Sequence, residues 1–126
     1  MIAGIADTSV LIHLFRNNPS ATKWVEGQQD LAITPVSWLE FIYGAPGKSG
    51  QTHSLQLMQK FIIEFLTPSD QAWAMQQMLQ YRLSHGVSLT DCLIASVSYR
   101  LQVPIYTDNV KDFVPLLTPK LVIKPY

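Results

Sequence analysis

The opening of the chain limits its possible folds more than any other stretch. Residues 2–6 are small and apolar, Asp7 follows with no spacer, and Val10, Leu11 and Leu14 then recur at helical spacing. This predicts a buried strand that runs straight into a helix, with a carboxylate at the junction. Open α/β sheets build their sites at the carboxyl ends of strands. Taken alone, Asp7 reads as a helix N-cap, worth about 1 kcal/mol. It becomes a site residue only if other carboxylates gather around it.

The rest of the chain repeats the alternation. Short apolar runs at residues 31–34, 104–107 and 121–123 predict three further strands. Helices are expected from Asp7 or Thr8 to about Arg16, from a Ser20 cap through Val25, from Pro35 to a Gly44 cap, and from Ser88 through Tyr99. Residues 45–50 contain Pro46, Gly47 and Gly50 and read as a loop. Leu55, Leu57, Met58, Phe61, Ile62 and Phe65 are spaced as a broad apolar helix face. Trp73, Met75, Met78, Leu79 and Leu83 mark a second helix after Pro68, so Thr67-Pro68 predicts the joint of a helical hairpin. The expected fold is α/β: one domain over residues 1–126, with a mostly parallel sheet flanked by helices.

Composition narrows the function. Only 14% of residues are charged and 48% are hydrophobic, which excludes a disordered chain. Nine Lys+Arg balance nine Asp+Glu, so no basic excess announces nucleic acid, and contact with phosphates would need a local patch or metal ions. A single cysteine, Cys92, permits no internal disulfide and suits a reducing compartment. The N-terminus lacks a basic n-region, its apolar run stops at Asp7, and no apolar run approaches the roughly 18–20 residues of a membrane span. A soluble cytoplasmic protein is expected.

With so few acids, their placement is informative. Asp7 ends the first strand, and Glu40 lies two turns into the helix after the second. Asp91 lies in the first turn of the helix before the third strand, and Asp108 and Asp112 follow that strand. Parallel strands would bring these places toward one edge. Each acid also has a plainer reading. Glu40 could be an exposed helix acid, although its large apolar neighbours Trp38, Leu39, Phe41, Ile42 and Tyr43 make a lone carboxylate awkward. Asp91 has capping-box spacing from Ser88. Asp108 and Asp112 could be ordinary turn and helix-start residues. Together, hard oxygen donors without His or Cys favour Mg²⁺ or Mn²⁺ over zinc, and metal held by acids activates water against a phosphodiester. His13, His53 and His85 share no ligand spacing. Ser9 and Ser37 lie outside any Gly-x-Ser-x-Gly, and Cys92 reads as a core thiol.

Four segments carry a family resemblance. Ile5-Ala6-Asp7-Thr8-Ser9-Val10-Leu11-Ile12 closely resembles the opening of PIN-domain ribonucleases, and more narrowly that of VapC-type toxins of bacterial toxin–antitoxin pairs. Ser37-Trp38-Leu39-Glu40-Phe41-Ile42-Tyr43-Gly44 resembles the family's second motif. Leu89-Thr90-Asp91-Cys92-Leu93-Ile94-Ala95 resembles the third, and Thr107-Asp108-Asn109-Val110-Lys111-Asp112-Phe113 the fourth. Order, spacing and length agree across essentially the whole chain. The resemblance implies a PIN-like fold, with a parallel sheet of four to five strands flanked by helices. It also implies a Mg²⁺- or Mn²⁺-dependent endoribonuclease, a homodimer, and a small antitoxin that blocks the active-site groove.

By motif match, Asp7, Glu40 and Asp91 would be the core acids. Alignment on Phe113 makes Asp112 the fourth, with Asp108 and Asn109 as supporting or substitute ligands and Thr8, Ser9 and Thr107 orienting carboxylates. The few scattered cations predict that RNA is gripped mainly through metal and a few contacts. The rival expectation is a catalytically inactive PIN-like module that binds proteins.

Overall fold

The computed structural model describes residues 1–126. Its centre is a five-stranded sheet, parallel throughout, in the order β3-β2-β1-β4-β5. The strands are β1 (Gly4–Ala6), β2 (Leu31–Ile33), β3 (Ile62–Ile63), β4 (Ile105–Tyr106) and β5 (Val122–Ile123). Seven helices connect them: α1 (Thr8–Phe15), α2 (Pro19–Glu26), α3 (Pro35–Tyr43), α4 (Gly47–Met58), α5 (Pro68–His85), α6 (Leu89–Leu101) and α7 (Val110–Phe113). The parallel α/β fold expected from the alternation is present. No helix is long and apolar enough to cross a membrane.

Alternation along the strands divides the core in two. Ile5, Ala32, Ile105 and Val122 pack with Ile94 and Val97 of α6 and Phe113 of α7. Ala6, Leu31 and Ile33 pack on the other side with Val10, Leu11 and Leu14 of α1 and Phe41 of α3. Gly4 opens β1 because a Cβ there would strike the Tyr106 ring. Fully buried Phe113 pins the one-turn α7 to the sheet, and with it Asp112. Truncating it to Ala would cost about 3–5 kcal/mol.

Three local expectations need correction. The apolar run 55–65 is not one helix: α4 stops at Met58, and Ile62 and Ile63 form the edge strand β3, paired with Ala32 and Ile33. β-Branched side chains prefer that pleated setting. The expected loop at 45–50 is already helical from Gly47. Gly50 is what permits this, since a Cβ there would lie 2.6–2.7 Å from the Pro46 ring. Finally, the second helix begins from an Asn18 cap, whose side chain accepts the Ala21 N–H, with Pro19 at its first position; Ser20 is not the cap.

The helical hairpin exists, but its joint is Gly86-Val87-Ser88 rather than Thr67-Pro68. α5 ends on Gly86 in the left-handed conformation (φ 65°), and α6 returns along α5. Trp73 stacks on Tyr99 at 4.9 Å, and Arg100, near the end of α6, reaches Asp70 at the start of α5.

Candidate active site

Asp7 occupies the N-cap position of α1, yet its side chain makes no capping bond. The residue is only 4% exposed. Its Oδ2 accepts hydrogen bonds from Ser9 Oγ and Thr107 Oγ1, each at 2.9 Å. The same two hydroxyls accept backbone N–H groups from the turn after β4: Asp108 N–H reaches Ser9 Oγ at 3.0 Å, and Asn109 N–H reaches Thr107 Oγ1 at 2.9 Å. The end of β1 and the turn after β4 are thus locked to one carboxylate oxygen. Fully buried Thr107 is the hinge of that lock.

Glu40 projects from α3 with its Oε1 accepting the Thr8 hydroxyl at 2.8 Å. Thr8 Oγ1 also lies 3.0 Å from Ser37 Oγ, and the Ser37 N–H is capped by Thr34 Oγ1 at 3.3 Å. Ser37 is fully buried one helical turn before Glu40. Sequence reasoning set it aside as a nucleophile and missed it as a support. The usable signal was its i, i+3 relation to Glu40.

Asp91 lies in the first turn of α6, where its N–H donates to Ser88 Oγ at 3.1 Å. Burial pushes its carboxyl up to about 6, against a downward pull from the Ser88 hydroxyl. The negative charges of Asp7, Asp112 and Glu40 add to the rise, so the other three acids all bear on Asp91. Asp112, exposed in α7, makes no side-chain bond; its N–H donates to Asn109 O at 3.0 Å. The Asn109 side chain does not cap that turn.

Asp108 belongs to a different set. Lys124 Nζ meets its carboxylate at 2.5 Å and His13 Nε2 lies at 3.7 Å. The Lys124 hydrogen bond and charge, then His13, hold this carboxyl below the usual range. It is not among the charges acting on Asp91. Of the two acids after β4, Asp112 is electrostatically coupled to Asp91 and Asp108 is not.

None of Asp7, Glu40, Asp91 and Asp112 has a Lys, Arg or His partner. A set of oxygen donors with unbalanced negative charge suits a hard divalent cation. No three acidic, His or Cys side chains lie close enough to enclose an ion, so closing a shell requires side-chain rotation. Glu40 and Asp112 are exposed; Asp112 has no side-chain partner, and Glu40 would have to release or carry its Thr8 hydrogen bond. Asp7 and Asp91 also sit at helix N-termini, where negative charge is favoured.

The same architecture recurs among solved structures. A toxin–antitoxin complex from Klebsiella pneumoniae matches with a TM-score of 0.75 and 23% identity, covering 98% of each chain. VapBC2 from Rickettsia felis, bound to a DNA fragment from its promoter, matches at 0.78 with 18% identity, over 100% of this chain and 99% of that one. VapC20 of Mycobacterium tuberculosis, described as a sarcin–ricin loop cleaving toxin, matches at 0.68 with 13% identity, over 88% and 94%. No curated protein sequence matches the chain. The model of the PIN domain matches residues 5–111, which span Asp7, Glu40 and Asp91, and the chain belongs to the PIN domain family.

Proposed function

We propose that this protein is a Mg²⁺- or Mn²⁺-dependent endoribonuclease, the toxin of a VapBC-type toxin–antitoxin pair, working in the cytoplasm as one domain. The observation that carries the reading is the group of four carboxylates without a basic partner, in which burial first, and then the charges of Asp7, Asp112 and Glu40, raise Asp91 to about 6. Asp7, Asp91 and Asp112 would hold the ion, with Glu40 joining them. Once bound, such an ion lowers the pKa of water and offsets charge developing on the phosphate. The chain's own part is positional. Ser9 and Thr107 fix Asp7, and Thr8 and Ser37 steer Glu40. Water attacks phosphorus in line, and the products are a 5′-phosphate and a 3′-hydroxyl.

Partners follow from the same reading. Several similar structures are toxin–antitoxin complexes, which supports a small antitoxin as the inhibitor. Met75, Leu79 and Leu83 are exposed at i, i+4, i+8 on α5, with Leu39 and Tyr43 exposed on α3. Apolar surface on this scale supports protein contact, either a second copy or the antitoxin. The second reading is a PIN-like interaction module without catalysis, favoured by the absence of three acids that already enclose an ion.

Incubation with an RNA pool in Mg²⁺, Mn²⁺ or EDTA separates the two. The nuclease reading expects cleavage only with metal, lost in a folded Asp7→Asn protein. Undiminished cleavage by Asp7→Asn would sink the site assignment. No cleavage with either metal, and no thermal stabilisation by Mn²⁺, would leave the module reading.

A further inference from the structure

Of the four acids, Glu40 also lines a cavity of about 340 Å³ that opens between α1, α3 and α4. Its walls include Ile12, Phe15 and Phe41, its rim carries Arg16 and Glu40, and Ser54 of α4 lines it. The two phenylalanines meet edge-on at 6.1 Å. Two features are unexplained by the fold. Ser54 is fully buried, and its Oγ is the only buried side-chain polar atom without a hydrogen-bond partner. Native proteins rarely leave such a group unsatisfied, because the desolvation cost is not recovered. Arg16 is exposed and makes no ion pair, although it shares the cavity with Glu40.

We infer that this cavity is a base-reading subsite, taking the nucleobase of a ribonucleotide that flanks the scissile phosphate. Apolar and aromatic walls accept the base. The orphaned Ser54 hydroxyl supplies one hydrogen bond to its edge, and that bond discriminates between bases. The Arg16 guanidinium holds the nucleotide's phosphate by charge-assisted hydrogen bonds. The volume lies at the lower end of the range for small-ligand pockets, and Glu40 ties the cavity to the acids. The inference rests on the nuclease reading only for the position of the cut; nucleotide binding itself requires no metal.

The test titrates the four nucleoside 5′-monophosphates into wild-type protein in EDTA, followed by NMR shifts, and repeats it with Ser54→Ala and Arg16→Gln. One monophosphate should bind about fivefold tighter than the others, the worth of a single hydrogen bond, with shifts confined to Ile12, Phe15 and their neighbours. Ser54→Ala should erase that preference while raising the melting temperature by about 3 °C, because a buried unsatisfied hydroxyl is removed. Arg16→Gln should weaken all four alike. In parallel, sequenced ends from an RNA pool should show a base preference beside the cut that Ser54→Ala flattens.

Equal binding of all four, unchanged in Ser54→Ala, would overturn the inference. So would a lowered melting temperature in that variant, which would mark Ser54 as a packing group. An absence of nucleotide-induced shifts at Ile12 and Phe15 would also overturn it. Discrimination among monophosphates without RNA cleavage would uphold the subsite and refute the nuclease. Cleavage without discrimination would do the reverse.

Discussion

Helices α5 and α6 begin with the same signature. Thr67-Pro68-Ser69-Asp70 and Ser88-Leu89-Thr90-Asp91 each place a hydroxyl at the N-cap and an aspartate three residues on. Each hydroxyl accepts the aspartate's N–H at 3.1 Å. Beyond that the two diverge. At α5 the capping box closes, with Asp70 Oδ2 accepting the Thr67 N–H at 2.9 Å. Both Asp70 oxygens also accept Arg100 Nε, at 2.9 and 3.0 Å, and Arg100 Nη2 reaches Glu64 at 3.0 Å. At α6 no capping box closes, since the Ser88 backbone N–H does not receive the Asp91 carboxylate, and that carboxylate meets no cation; the charges of three other acids bear on it instead. One aspartate is consumed in holding the hairpin together, and the other is kept available at some cost in stability. The difference arises thirty residues away, in where Arg100 lands.

The contrast can be broken by exchanging the consequences. Asp91→Asn should lower RNA cleavage about a thousandfold, roughly 4 kcal/mol of transition-state stabilisation, if the acids act together through an ion. Asp70→Asn, assayed on folded protein, should leave the cleavage rate unchanged; equal losses from both would erase the distinction. Arg100→Gln should destabilise by about 3 kcal/mol in urea unfolding, because Asp70, 2% exposed, is left charged and unpaired. A change under about 1 kcal/mol would reduce this node to an ordinary surface pair.

Smaller effects sharpen the picture at the acid edge. Ser9→Ala removes one of the two donors to Asp7 Oδ2 and should weaken Mn²⁺ binding about tenfold or more, with the fold intact. The pH dependence is the subtlest. Asp91 is raised from 3.8 in an unperturbed chain to about 6 when folded, so between those values the folded state binds more protons than the unfolded state. Stability therefore falls as pH rises through that window, by about 1 kcal/mol once solvent screening is allowed for. The difference between wild type and Asp91→Asn should follow that slope, and a difference that does not change from pH 4 to 6.5 would contradict it.

The sequence made the strand-to-Asp7 junction legible because both halves are local: an apolar run, then helical spacing. Glu40 stood out because one acid among large apolar residues needs a reason. What local pattern could not supply was pairing across distance. Asp108 and Asp112 look alike until Lys124 is found on the first of them. Asp70 and Asp91 look alike until Arg100 is placed. Period reading failed at Ile62 and Ile63, where apolar spacing continued helically but a two-residue strand was captured by the edge of β2. It failed at Gly50 for the opposite reason: a residue that usually breaks helices is required there by the Pro46 ring. The capping role available to Asp7 was the reasonable local reading. Its carboxylate instead receives two hydroxyls, one of them a hundred residues away.

As proposed, Asp7, Glu40, Asp91 and Asp112 form one cation-holding set. Isothermal titration of Mn²⁺ into metal-free wild type and into Asp7→Asn tests it most directly. Wild type should bind Mn²⁺ saturably, with a rise in melting temperature, and a folded Asp7→Asn protein should lose both. Equal Mn²⁺ binding by the two proteins, or none by wild type, would contradict it.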